Sequence, residues 1–199
     1  MLKNNYFKYA ATLAIICLAA SGLLGAVFNL TQPKILYQKT QDEISALKEV
    51  CPQAADFESV KEGGDVVYYK ALDGGKNIVG YAFKAVRKGY SSDIVTMAGM
   101  DKDGVISRIK ILFQNETPGL GTRVTEVIQK ETFWDVAFKK VKLGASPRPW
   151  FQSQFDGKKS EDLAHSVQVI TGATITSRAV IDSVQEKAQE VRERLAHGG

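Results

Sequence analysis

The chain has 199 residues, 44% of them hydrophobic and 24% charged, with 26 Lys+Arg against 22 Asp+Glu and a formal net charge of +4. That balance is ordinary for a globular protein, and the small positive excess, without a dense Lys/Arg cluster, excludes a nucleic-acid partner held by phosphate neutralisation. Two cysteines, Cys17 and Cys51, and two histidines, His165 and His197, exclude a CxxC redox pair, a four-cysteine zinc site and a cysteine-held iron–sulfur cluster; no metal site is expected, and any redox chemistry needs a cofactor held by other residues.

Between Lys8 and Lys34 no residue is charged, and most of the 25 residues from Tyr9 to Pro33 are apolar or small. As a helix they span ~37 Å at ~1.5 Å per residue, enough for a hydrocarbon core of ~30 Å. Proline lacks the N–H that a continuing helix needs, so Pro33 is expected to end the span. Ala19, Ala20, Ser21, Gly22, Gly25 and Ala26 allow close contact with neighbouring membrane helices. A cleaved signal peptide competes with this reading, since Ala19-Ala20-Ser21 mimics an exit site, but the apolar run continues through Leu30. A lipoprotein signal needs a small residue before its cysteine, and Ile16 precedes Cys17. A buried core helix is the third alternative. The reading adopted is an uncleaved anchor over residues 1–33. Lys3 and Lys8 on one flank face Lys34 and Lys39 on the other, so the positive-inside rule barely decides orientation.

Residues 34–50 carry Ile35, Leu36, Ile44, Leu47 and Val50 at roughly helical spacing, which predicts a helix ending near Pro52. Residues 34–64 are read as a helical connector and residues 65–199 as the main domain. Within that domain, residues 65–72 and 78–86 are β-branched and aromatic, and the cluster Asp73-Gly74-Gly75-Lys76-Asn77 separates them, so they read as a hairpin. Residues 94–100 and 105–113 form a second pair around Asp101-Lys102-Asp103-Gly104. A short helix is predicted over 124–130, with a continuation around 134–140. Residues 144–160 read as loop and 167–170 as a short strand. Val180, Ile181, Val184, Ala188, Val191 and Leu195 form one apolar stripe, predicting a helix over 177–195. The fold class is α+β: antiparallel hairpins first, covering helices after.

Two segments carry candidate chemistry. In Asn115-Glu116-Thr117-Pro118-Gly119-Leu120-Gly121-Thr122, Pro118 fixes its own φ and the glycines permit shapes closed to other residues. Such a loop brings backbone N–H groups to a ligand, or is a plain strand-to-helix turn. In Thr171-Gly172-Ala173-Thr174-Ile175-Thr176-Ser177, four of the seven residues are hydroxylated and the small Gly172 and Ala173 leave Thr174 accessible. The start of the following helix favours an anion, above all phosphate, and Arg178 adds charge. The alternative is simple N-capping by Thr176 or Ser177. A threonine nucleophile needs a base; the nearest histidine, His165, is nine positions upstream, so a separate enzyme is expected to modify Thr174. No Walker A loop and no GxGxxG is present.

ETPGLG over 116–121 followed by TGATIT over 171–176, with Gly89-Tyr90-Ser91-Ser92-Asp93-Ile94, the 97–104 stretch and an N-terminal anchor in the same order, resembles the FMN-binding domain family. Over nearly the whole chain it resembles the G subunits of Rnf electron-transport complexes, with the C subunits of Na⁺-pumping NADH:quinone reductases as relatives. The resemblance implies FMN attached through its phosphate to the last threonine of the [ST]GAT motif, here Thr174, by a flavin transferase that uses FAD and Mg²⁺. Position 168 holds Gln where that motif often has an acidic residue.

The resemblance also implies a single-pass protein of the cytoplasmic membrane with its domain on the extracytoplasmic side. There its flavin relays electrons among the other membrane subunits of a complex that couples ferredoxin–NAD⁺ chemistry to Na⁺ or H⁺ transport. Such a chain is a redox subunit and not a complete enzyme, so no catalytic side chain is assigned. Glu116, Thr117 and the Gly119-Leu120-Gly121 backbone are candidate ring or ribityl contacts; Thr171, Gly172, Ala173, Thr176, Ser177 and Arg178 surround the attachment point. Trp134, Trp150 and Phe151 either pack near the ring or belong to the core. Membrane lipid is an expected partner. The competing functions are a scaffold or assembly module without flavin, and a flavin domain serving another reductase.

Overall fold

The computed structural model describes residues 3–127 and 148–197. The chain divides into two compact units, Met1–Glu43 and Ile44–Gly199. Helix α1 covers Lys3–Val50 and contains Pro33, so the expected stop at Pro33 does not occur. One proline removes one hydrogen bond, at ~3 kcal/mol, from a ladder that helix-compatible sequence continues on both sides. In the turn before it, the Thr31 hydroxyl lies 2.8 Å from the Val27 carbonyl oxygen and 3.2 Å from that of Phe28. Leu13, Ile16, Leu23, Leu24 and Leu30 are each more than half exposed, an apolar surface that water disfavours and lipid accepts. The helix is long and apolar enough to cross a membrane, with a mean hydropathy of 2.2 over its most apolar stretch.

The second unit is built on a six-stranded antiparallel meander in the order β1-β2-β3-β4-β5-β6: β1 Asp56–Glu62, β2 Asp65–Leu72, β3 Ile78–Lys88, β4 Asp93–Met100, β5 Val105–Phe113 and β6 Lys158–Lys159. The four strands expected over 65–113 are present. Strand β1 is not a helical connector; it pairs with β2 from Asp56 against Leu72 to Glu62 against Asp65. Its sequence, DFESVKE, offers only Phe57 and Val60 as apolar residues, because an edge strand needs little more.

One face of the sheet carries the larger core. Phe83, Ile94, Ala98 and Met100 pack there against helix α4, Thr174–His197, through Val180, Ile181, Val184, Ala188 and Val191, with Leu195 partly buried. The apolar stripe is therefore as predicted. Ile106 and Ile109 enter the same core although strand alternation would separate them, because the β4–β5 register shifts between Gly99 and Met100. The opposite face packs Ala71, Ala82 and Met97 against Ala46, Leu47, Val50 and Cys51. A Cβ at Gly99 would lie 2.3 Å from the Val50 carbonyl oxygen, so glycine is what lets the end of α1 approach β4.

Residues 148–160, expected as loop, hold the short helix α2, Trp150–Ser153, and β6, followed by a 3₁₀ turn at Ser160–Asp162 and helix α3, Leu163–Ser166. Phe151 is fully buried and meets Phe155 edge-on at 5.6 Å between ring centroids, so it belongs to the core. The helix expected over 124–130 is, within the described residues, a 3₁₀ turn at Gly121–Thr125; Trp134 and the expected continuation around 134–140 lie outside them. Residues 167–170 are not a strand. Their backbone is held by side chains instead: Gln168 N–H donates to Gln154 Oε1 (2.9 Å), Gln154 Nε2 donates to the Gln168 carbonyl (3.3 Å), and Ile170 N–H donates to Ser177 Oγ (3.1 Å).

Candidate functional site

Three segments converge beside the larger core: the β3–β4 loop at 89–92, the loop after β5 at 114–121, and the first turn of α4. Glu116 joins them. Its side chain is 4% exposed and accepts Ser91 N–H and Ser92 N–H on Oε1 (both 3.0 Å), Tyr90 N–H on Oε2 (3.2 Å) and the Thr176 hydroxyl on Oε2 (2.7 Å). Two glycines make room. A Cβ at Gly89 would lie 2.7 Å from Oε1, and one at Gly121 would lie 2.6 Å from the Glu116 Cβ and 2.7 Å from Oε2. Burial pushes the Glu116 carboxyl up, but the bonds from Thr176 and from the Ser92, Ser91 and Tyr90 N–H groups outweigh it and hold it below its ordinary value of 4.5.

The loop itself is a turn dictated by its sequence. Pro118 and Gly119 occupy its centre, Gly119 has φ +76°, and Leu120 N–H donates to the Thr117 carbonyl at 3.2 Å. This is the proline–glycine pattern of a type II turn. Gly119 N–H is taken by the Thr122 hydroxyl (3.0 Å).

Helix α4 starts at Thr174, three residues before the predicted start. Gly172, at φ +83°, turns the chain into it, and Ala173 N–H donates to the Ile170 carbonyl at 2.9 Å. The alternative, capping by Thr176 or Ser177, does not occur. Both sit inside the first turn, and their hydroxyls are spent on Glu116 and on Ile170 N–H. Among the described residues, no acceptor faces the N–H groups of Thr174, Ile175 or Thr176. These are the donors that a helix start presents to an anion.

A cleft of about 460 Å³ opens between these segments, lined by Tyr90, Glu116, Thr117, Leu120, Gly121, Gly172, Ala173, Thr174, Ile175 and Thr176. That volume lies within the ~300–1,000 Å³ usual for small-molecule sites. Residues 89–189 match the FMN-binding domain family, and residues 1–50 match the RnfG N-terminal region. The G subunit of an ion-translocating oxidoreductase complex from Methanosarcina acetivorans is 30% identical over 197 residues, covering 92% of this chain and 93% of that protein.

The chain belongs to this RnfG family and carries its FMN-binding domain.

Other relatives in the RnfG family include the G subunit of the proton-translocating ferredoxin:NAD(+) oxidoreductase complex of Clostridium ljungdahlii, 27% identical over 95% of this chain and 93% of its own length. The G subunit of the Na(+)-translocating complex of Acetobacterium woodii is 30% identical over 92% of this chain and 90% of its own length. The crystal structure of Shewanella oneidensis NqrC aligns with a TM-score of 0.44 at 17% identity, covering 68% of this chain and 66% of that one. Membership of the RnfG family and the apolar α1 together make this a membrane protein.

The cleft falls wholly inside the FMN-binding domain and gathers most of the residues expected from sequence: Glu116, Thr117, Leu120, Gly121, Gly172, Ala173, Thr174 and Thr176. Gly119 does not line it. Thr171 is exposed outside the lining, Ser177 is buried behind it, and Arg178 is exposed on α4. Trp150 and Phe151 do not line it. Sequence reading missed Tyr90 and Ile175, both more than half exposed at the cleft, and Arg123, whose Nη1 lies 3.4 Å from the Thr171 carbonyl oxygen. It also missed the three N–H groups of 90–92. Backbone donors leave no side-chain signature; the only hint is a glycine opening a tight loop between two strands.

Proposed function

We propose that this chain is the flavin-bearing electron-transfer subunit of a membrane-bound, Rnf-type ferredoxin:NAD⁺ oxidoreductase that translocates Na⁺ or H⁺, and that FMN is esterified through its phosphate to Thr174. The relatives' names support the complex, and the FMN-binding domain supports the cofactor. In this reading α1 is the single membrane anchor, in contact with lipid and with the other membrane subunits. The unit Ile44–Gly199 faces the extracytoplasmic side. Little free FMN is found there to replace a lost one, so a covalent tether preserves function.

One observation carries the attachment point. Of the four hydroxylated residues in 171–177, Thr176 and Ser177 are buried and engaged, at 1% and 0% exposure. Thr171 is exposed but off the cleft, and Thr174 alone is both exposed and on it. The unpartnered N–H groups at the start of α4 fit a phosphate, and Gly172 and Ala173 leave room for it. Tyr90, Leu120 and Ile175 supply apolar walls suited to a flat aromatic ring. FMN, when bound, supplies the one- and two-electron chemistry; the chain binds, orients and shields it.

In the attachment step Thr174 Oγ1 forms a bond to the flavin-side phosphorus of FAD. The phosphoanhydride bond breaks, AMP leaves, and the hydroxyl proton passes to a base. The cleft lining offers no carboxylate other than Glu116, which is already occupied, and His165 is exposed on α3 outside it. The base therefore belongs to a separate flavin transferase. The test is the intact mass of the full chain made with and without that transferase. The expected gain is one FMN less one water, absent in Thr174→Ala. A bare mass in both preparations favours a scaffold without flavin.

A further inference from the structure

Glu116 lines the cleft, yet its lone-pair sites are full. An ionised carboxylate offers about four acceptor sites and no donor. Here two N–H groups fill Oε1, with the Ser92 hydroxyl a further 3.4 Å contact, and an N–H and a hydroxyl fill Oε2. Nothing remains to address a ligand. The carboxylate is instead built into the wall from both sides, by a β-hairpin loop and by two glycines whose Cβ atoms would displace it.

We infer that Glu116 is a positioning residue: through Thr176 it fixes the first turn of α4, and so the direction of the Thr174 hydroxyl and of the three free N–H groups. The turn has two anchors. Ser177 Oγ and the Ala173 N–H tie it to Ile170, and Thr176 Oγ1 ties it to Glu116. Helix starts are ordinarily fixed by an N-cap side chain. Here the capping position is Ala173, which has none, so a carboxylate 60 residues away in sequence takes over that work. The donors around Glu116 also absorb its charge, which would otherwise oppose an incoming phosphate.

This inference rests on Thr174 as the attachment point, and the test separates the two. The full chain, in detergent, is incubated with purified flavin transferase, FAD and Mg²⁺, and flavin incorporation is followed by mass. Amide hydrogen exchange over 172–178 is read on the unloaded protein. Thr176→Val and Glu116→Ala are expected to slow incorporation by about ten- to a hundredfold, and to speed exchange in the first turn of α4 while the sheet and the rest of α4 stay protected. Thr176→Ser restores both, because the hydroxyl is what matters. The double variant slows no further than the slower single, since each removes the bond between residues 116 and 176. Wild-type incorporation and unchanged first-turn exchange in Thr176→Val overturn the inference, as does a multiplicative effect in the double variant. Thr174→Ala distinguishes the two failures: if it still gains flavin, the attachment point is wrong and first-turn exchange in Thr176→Val alone decides the role of Glu116.

Discussion

Replacing Glu116 by glutamine exchanges one carboxylate oxygen for an amide nitrogen and tests how the carboxylate holds its donors. With Oε1 kept towards Ser91 and Ser92, the new amide nitrogen takes the place of Oε2, facing Tyr90 N–H and the Thr176 hydroxyl. The hydroxyl can rotate and accept; the backbone N–H of Tyr90 cannot. One buried donor is left without an acceptor, at ~1–3 kcal/mol. For a domain of this size each kcal/mol moves Tm by ~2–4 °C, so Glu116→Gln should melt roughly 2–12 °C below wild type at neutral pH. The assay is thermal unfolding of the full chain followed by circular dichroism across a pH series. The carboxyl is held below its ordinary 4.5, so its stabilisation is fully present above that value and is lost as pH falls through the folded-state value. Wild type should therefore lose its advantage at acid pH, and the two melting curves should approach one another well below pH 4.5. A gap that stays constant into that range, or no gap at neutral pH, refutes the reasoning.

Other substitutions separate strain from collision. Gly119 has φ +76° and open space around its Cβ position, so Gly119→Ala should cost only the left-handed penalty, ~1–2 kcal/mol, read as a lowered Tm with the same pH dependence as wild type. Gly121→Ala drives a methyl group into Glu116 and should reproduce both the lower Tm and the flattened pH profile of Glu116→Gln. Burial pushes the Cys51 thiol up to about 11, against a hydrogen bond from Met100 that lowers it. Alkylation of Cys51 by iodoacetamide near neutral pH should be slow in the native chain and fast in urea, measured by peptide mass.

Much of this structure was legible in the sequence because side chains announced it. The hairpins over 65–113 are rich in β-branched and aromatic residues and break at Asp/Gly clusters, and the stripe from Val180 to Leu195 repeats at helical spacing. Strand β1 was not legible, since four of its seven residues are charged and its pairing with β2 is a backbone matter. Pro33 misled because local chemistry argues for a stop that a long apolar helix overrides. In the site, the motif threonines marked the right turn but not their division of labour. Threonine at a helix start reads as a cap, and only the fold reveals that Thr176 reaches Glu116. The partners of Glu116 are mostly N–H groups, which every residue but proline carries.

The ester at Thr174 is read most directly from a single peptide. Tryptic cleavage after Lys159 and Arg178 releases residues 160–178, which contain Thr171, Thr174, Thr176 and Ser177 together. Fragmentation of that peptide from protein matured in its native membrane should place one FMN phosphate on Thr174 and leave the other three hydroxyls bare. A flavin on any of those three, or a peptide unmodified in every copy, contradicts the account.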